Sequence, residues 1–149
     1  MLVPILMGST SDQAYADKIA EHLKTFEVET EFHVCSAHKV PEKVIEIISK
    51  FNISEKKIVY ITIAGRSNGL SGVVAGSAIH PVIACPPFAD KVDYLINIHS
   101  STMMPSNTPS MTVVDPQNAA MAAIRILALT NKNLQQKVVA HIKSVKESS

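Results

Sequence analysis

The chain of 149 residues has no tryptophan, and aromatic side chains make up only 5% of it. A module that stacks a flavin ring usually supplies aromatics for the purpose, so this scarcity disfavours a flavin-binding reading. There are only two cysteines, Cys35 and Cys85, far apart in sequence. A disulfide framework is not expected on that count, and a reducing, cytoplasmic setting is. Charged residues are few, at 18%, and the net charge is +1. No basic field marks a nucleic-acid or membrane binder. Long apolar runs are missing as well. The stretch of residues 2–7 is too short to span a bilayer, and it lacks the basic flank and cleavage site of a signal peptide. Neither a membrane segment nor a leader is therefore expected.

What is present is a globular composition, with 46% hydrophobic residues, in a length suited to one domain over residues 1–149. The mean hydropathy of +0.17, with so little charge, suggests that part of the apolar surface is covered by other subunits. Short apolar runs alternate with helical patterns. Strands are predicted over residues 2–7, 28–34, 58–63, 81–85 and 111–114. The third, all apolar or β-branched, reads as a central strand buried on both faces. Helices are predicted over residues 12–26, 41–51, 70–78, 90–98, 116–129 and 131–146, from apolar spacings of three and four. Pro41 suits a first helical turn, and Asp115 suits a cap. Strand followed by helix, repeated, predicts an α/β protein of three layers: an open parallel sheet with helices on both faces.

Ligands of such sheets bind beyond the carboxyl ends of the strands. Three of the four loops at those ends are rich in site-forming residues and should converge on one rim. The first, Gly8-Ser9-Thr10-Ser11-Asp12, has free amides at a helix start and so favours an anion such as phosphate. Capping of the helix by Ser9, Ser11 or Asp12 explains it equally well. An acid beside a phosphate repels it, so Asp12, if it meets a ligand, suits a ribose hydroxyl. The second loop, Ser36-Ala37-His38-Lys39, offers an imidazole able to move a proton near neutral pH and an ammonium for an anion. A structural histidine and a solvated amine are the plain alternatives. Cys35, three residues before His38, is weak grounds for a metal and reads as a buried apolar residue. The third loop, Gly65-Arg66-Ser67-Asn68-Gly69-Leu70, can bring backbone close to a small ligand, or be no more than a tight turn. The other histidines, at 22, 33, 80, 99 and 141, lack such a setting and are assigned to surface or core.

Taken in order, Met7-Gly8-Ser9-Thr10-Ser11-Asp12, Ser36-Ala37-His38-Lys39, Ala64-Gly65-Arg66-Ser67-Asn68-Gly69-Leu70, Cys85-Pro86-Pro87 and Met104-Pro105-Ser106 resemble the phosphoribosylaminoimidazole carboxylase family, over roughly residues 2–130. The resemblance also distinguishes two classes. A mutase class, acting on N5-carboxyaminoimidazole ribonucleotide, carries arginine at the position of Lys39 and histidine at that of Gly69. The animal-type class carboxylates aminoimidazole ribonucleotide directly with carbon dioxide, and its marks are Ser-Ala-His-Lys and Ala-Gly-Arg-Ser-Asn-Gly-Leu. This chain resembles the second.

The resemblance implies a flavodoxin-like fold, a cytoplasmic homo-octamer whose neighbouring subunits complete each site, and no cofactor or metal. It implies that His38 is the catalytic acid and base. Gly8, Ser9, Ser11, Asp12, Ser36 and Arg66 would contact the nucleotide. Lys39, Ser67 and Gly69 would contact substrate and hold carbon dioxide or the new carboxylate, Gly69 through its amide. The helix over residues 130–149 is expected to pack on neighbouring subunits. Two positions depart from the animal-type pattern: Met103 stands where arginine is usual, and Asn107 where glycine is usual. A receiver-type signalling domain is disfavoured, because Gly8-Ser9 and Gly65-Arg66 stand where its acidic residues belong. An inactive relative is opposed by the retained His38 and Lys39.

Overall fold

A computed structural model describes residues 1–148. Its centre is a five-stranded sheet, all parallel, in the order β2-β1-β3-β4-β5. The strands are β1 (Leu2–Met7), β2 (Glu29–Val34), β3 (Tyr60–Ile63), β4 (Val82–Ala84) and β5 (Met111–Thr112). Between them run α1 (Gln13–Thr25), α2 (Pro41–Asn52), α3 (Gly69–Ser77), α4 (Lys91–Asn97) and α5 (His99–Thr102). Helices α6 (Pro116–Ala128) and α7 (Lys132–Glu147) follow β5. This is the expected three-layer, flavodoxin-like α/β architecture.

The alternation of side chains along a strand builds the two cores. On β1, Val3, Ile5 and Met7 face one side, where they meet Ala16, Ile19 and Leu23 of α1 and Ala120, Ile124 and Leu127 of α6. Leu2 and Leu6 face the other side and meet Val44 and Ile48 of α2 and Leu70 and Val74 of α3. Every residue of β1 and β3 is buried. Edge strand β2 is only partly covered. Leu134 and Val138 of α7 join the first core within the chain. There His141 packs edge-on against Phe26 at 5.4 Å between ring centres, and the Lys137 ammonium meets the Glu27 carboxylate at 2.6 Å. Among the described residues, no helix is long and apolar enough to cross a membrane.

Several boundaries differ from expectation. Strand β3 begins at Tyr60 rather than Ile58, which makes only an isolated bridge to Leu2. Strand β5 has two residues instead of four, because beyond Thr112 only one further amide, that of Val113, reaches the β4 end, at Ala84 O. Helix α5 was not expected at all, since His99-Ser100-Ser101-Thr102 shows no apolar period.

The chain leaves β1 for β2 on one side and returns to β3 on the other. That reversal opens a crevice between the loops at the carboxyl ends of β1 and β3, the usual place for a ligand in open α/β sheets.

Candidate active site

The rim at the carboxyl ends of β1 to β4 encloses a cleft of about 750 Å³. Gly8, Ser9, Ser11 and Asp12 line it from the first loop, Ser36, His38 and Lys39 from the second, and Arg66, Ser67 and Gly69 from the third. The structure thus brings all ten residues singled out from the sequence to one cleft. A second cleft, of about 600 Å³, lies between α1 and the start of α6 beside Tyr15, Lys18 and Asp115, and contains none of them.

In the first loop a reciprocal cap forms around a 3-10 turn over Thr10–Asp12. The Ser9 hydroxyl accepts from the Ser11 amide at 3.3 Å, and the Asp12 Oδ2 accepts from the Ser9 amide at 3.0 Å. Capping was one of the two readings open for this loop, and it is present. The amides of Ser9 and Ser11 are therefore held by side chains of the same loop, while Ser9, Ser11 and Asp12 all still face the cleft. Partial burial pushes the Asp12 carboxyl above its ordinary value, against the opposing pull of the Ser9 amide.

The second loop is a turn in which Ser36 O accepts from the amides of Lys39 and Val40, at 3.3 and 2.9 Å. Val40 then leads into Pro41 at the start of α2. The turn projects His38 and Lys39, both exposed, over the rim. The Lys39 ammonium forms no ion pair among the described residues, so its charge is available to a ligand.

The third loop meets the second at one point of close contact. A Cβ placed on Gly69 would lie 2.6 Å from His38 Nε2 and 3.0 Å from its Cε1. The imidazole occupies space that any side chain at 69 would need. Gly69 is the first residue of α3, and buried Asn68 caps that helix, accepting from the Ser71 amide at 3.1 Å. The Gly69 amide donates to Ser67 O at 2.9 Å. In this structure the donor is thus engaged within its own turn, and the open side of Gly69 gives the imidazole room. Arg66 has φ +52°, in the left-handed region that non-glycine residues seldom adopt.

The loop after β4 supplies what the sequence reading missed. Pro87, Phe88, Ala89 and, from α4, Asp93 line the cleft. A Cβ on Gly65 would come within 3.1 Å of Pro87 O, so the two loops touch through backbone. The Phe88 ring is braced edge-on by Tyr94 at 5.1 Å. Asp93 accepts from the Ala89 amide and from the Asn97 side-chain amide, and these bonds hold its carboxyl below the usual range. The Cys85-Pro86-Pro87 motif pointed to this loop, but nothing in it distinguished Phe88.

Of the two departures, Asn107 has φ +64°. Asparagine is among the residues that tolerate this conformation best after glycine, so the backbone need is met. Met103 is 77% exposed.

A cleft at the carboxyl rim of a flavodoxin-like sheet, with an imidazole and an unpaired ammonium over a hydroxyl-rich helix start, fits an α/β enzyme that binds a small-molecule substrate. Residues 2–148 match the AIR carboxylase family, and the chain belongs to that family of purine-biosynthesis enzymes. It is 44% identical over 139 residues to a phosphoribosylaminoimidazole carboxylase of Archaeoglobus fulgidus, covering 93% of this chain and 76% of that one. It is 42% identical over 148 residues to an N5-carboxyaminoimidazole ribonucleotide mutase of Methanocaldococcus jannaschii, covering 98% and 91%. Among solved structures it resembles Treponema denticola PurE, with a TM-score of 0.93 at 42% identity over 99% of this chain and 92% of that one. Relatives of nearly equal identity thus carry the two activity names.

Proposed function

We propose that this enzyme carboxylates 5-aminoimidazole ribonucleotide directly with carbon dioxide, giving 4-carboxy-5-aminoimidazole ribonucleotide, with His38 as the proton-transfer group. The observation that carries this reading is the place of the His38 ring, whose Nε2 stands 2.6 Å from where a Cβ on Gly69 would lie. The mutase-type pattern has a histidine there, and no side chain at 69 fits with His38 as it stands. Lys39, the other mark of the direct carboxylase, faces the same cleft.

The chemistry needs little from the protein beyond placement and a base. The substrate is an electron-rich enamine, whose ring carbon attacks the carbon of carbon dioxide. A carbon–carbon bond forms, and one C=O electron pair moves to oxygen to give a carboxylate, which the Lys39 ammonium stabilises. The ring carbon then holds both a hydrogen and the carboxylate. Neutral His38 takes that proton, the C–H pair returns to the ring, and aromaticity is restored; the imidazolium passes the proton to solvent. ATP and biotin have no step in this sequence.

At the other end of the cleft, the Ser9 and Ser11 hydroxyls and the Gly8 turn suit the phosphate, and Asp12 suits the ribose. Ser36 and the Arg66 guanidinium complete the nucleotide contacts. Ser67 faces the reacting end beside Gly69. Carbon dioxide has no charge to grip, so its orientation in a shaped site matters more than its affinity. A cytoplasmic homo-octamer belongs to the same reading. The exposed apolar side chains Val92, Leu95 and Ile96 of α4 support an assembly surface.

His38→Asn tests the proton role. Nucleotide binding should stay within a few-fold, while turnover falls by roughly 100- to 10,000-fold, the usual worth of a positioned acid or base. Turnover near that of the parent enzyme overturns it.

A further inference from the structure

Helix α5 lies outside the cleft, yet one of its side chains grips the loop that carries Ser67 and Gly69. The Ser100 Oγ lies 2.6 Å from Arg66 O and accepts from the Asn68 amide at 3.0 Å. One hydroxyl thereby bridges the backbone on both sides of Ser67. Its single proton has a second acceptor in Asn97 O, at 2.8 Å, one turn back. The next residue, Ser101, is fully buried and accepts from Asn68 Nδ2 at 2.9 Å. That binds the buried cap of α3 to α5 as well.

We propose that Ser100 is a positioning residue for the reaction, holding the backbone from Arg66 to Gly69 so that the Ser67 side chain and the open face of Gly69 meet His38 and carbon dioxide in register. The inference rests on the carboxylase reading given above. Its physical basis is local. Arg66 sits at φ +52°, a conformation that is strained for a non-glycine residue and persists only where its surroundings enforce it. Ser67 itself is exposed and has no side-chain partner in the loop. The Ser100 hydroxyl is the polar contact from another element that satisfies the Arg66 carbonyl and the Asn68 amide together. Most of the proposed nucleotide contacts stand on other loops, Ser36 on the second and residues 8–12 on the first with its own cap; from the loop that Ser100 holds only the Arg66 guanidinium, at the end of a long side chain, joins them. A fault at Ser100 should therefore fall mainly on the use of carbon dioxide and much less on the nucleotide.

The test compares Ser100→Ala, Ser100→Cys and Ser100→Thr with the parent enzyme in the full chain. In the alanine variant kcat/KM for carbon dioxide should fall at least ~10-fold, with KM for aminoimidazole ribonucleotide within ~2-fold, as expected when orientation rather than binding is lost. Threonine keeps the hydroxyl and should restore most of the rate; cysteine, a poor donor and acceptor, should not, and it stands in for alanine if that variant fails to fold. Hydrogen exchange at the Asn68 amide, followed with no substrate present, should quicken at least ~10-fold in the alanine and cysteine variants and not in threonine. Equal losses for carbon dioxide and nucleotide, no rescue by threonine, or unchanged exchange at Asn68 each overturn the proposal. If the parent enzyme itself turns over neither carboxylase nor mutase substrate, the functional reading fails on that arm, and the exchange result still decides whether Ser100 holds the loop.

Discussion

His38 and Gly69 lie face to face across two loops, with His38 Nε2 only 2.6 Å from where a Cβ on Gly69 would stand. No real side chain tolerates that distance, so the glycine and the imidazole form a matched pair. Gly69→Ala should push the ring aside and lower kcat by roughly 100-fold, the scale of a 1 Å misplacement at a reacting centre. Stability should change little, since alanine favours the helical backbone that residue 69 already adopts. Steady-state kinetics beside thermal melting separate the two effects. A fully active alanine variant would mean that the ring has room to work elsewhere.

Asp12 links the loop cap to the proposed ribose contact. Its carboxyl is raised above the ordinary 3.8, chiefly by burial. A raised carboxyl binds its proton more tightly in the folded state than in the unfolded one. Protonation therefore favours folding, and that contribution is lost as pH rises from the ordinary value through the raised one. Above that window the ionised form is retained at some expense to stability. Asp12→Asn should leave the melting temperature at pH 7 unchanged or higher, while nucleotide binding weakens at least ~10-fold. Parent-enzyme binding should decline on acidification at a pH above that of an ordinary aspartate. Calorimetric titration across mildly acidic pH checks both, and unaltered nucleotide affinity in the variant would remove Asp12 from the site.

The two cysteines should be chemically silent. Both are buried, which pushes the Cys35 thiol up to about 11 and the Cys85 thiol to about 12, the latter with help from the Asp115 charge. At pH 8 roughly one thiol in a thousand or fewer is ionised, and the thiolate is the reactive form. Iodoacetamide should modify neither in the native protein and both after denaturation, as mass spectrometry would show. Rapid native labelling of Cys35, three residues before His38, would point to a mobile second loop.

How much of this was readable in advance follows from how local each signal is. The buried strand over residues 2–7 and helix α6 were legible, because an apolar run and a 3.6-residue period carry their own information. That the ten candidate residues share one cleft was legible because loops at the carboxyl ends of parallel strands must share a rim. Edge strand β5 was overestimated, since only one neighbour strand defines its length. Helix α5 was invisible: its four residues have no apolar face, and what holds it in place includes hydrogen bonds to Arg66 and Asn68, more than thirty residues away in sequence. Phe88 was missed because an aromatic residue after a Pro-Pro pair has no period, and only its contact with Tyr94 shows why it stands at the cleft. The bond made by the Gly69 amide was not legible for a related reason. Its partner, Ser67 O, is two residues back, in a turn that spacing alone does not reveal.

Substrate choice is the most direct measurement. Purified enzyme should be given aminoimidazole ribonucleotide with bicarbonate-buffered carbon dioxide, and separately N5-carboxyaminoimidazole ribonucleotide, with formation of the C4-carboxylated product followed in each case. Direct carboxylation predicts turnover with the first that rises with dissolved carbon dioxide, and little with the second beyond what its spontaneous breakdown supplies. Rapid conversion of the N-carboxylated isomer, unaffected by removing carbon dioxide, would contradict the assignment and make the enzyme a mutase.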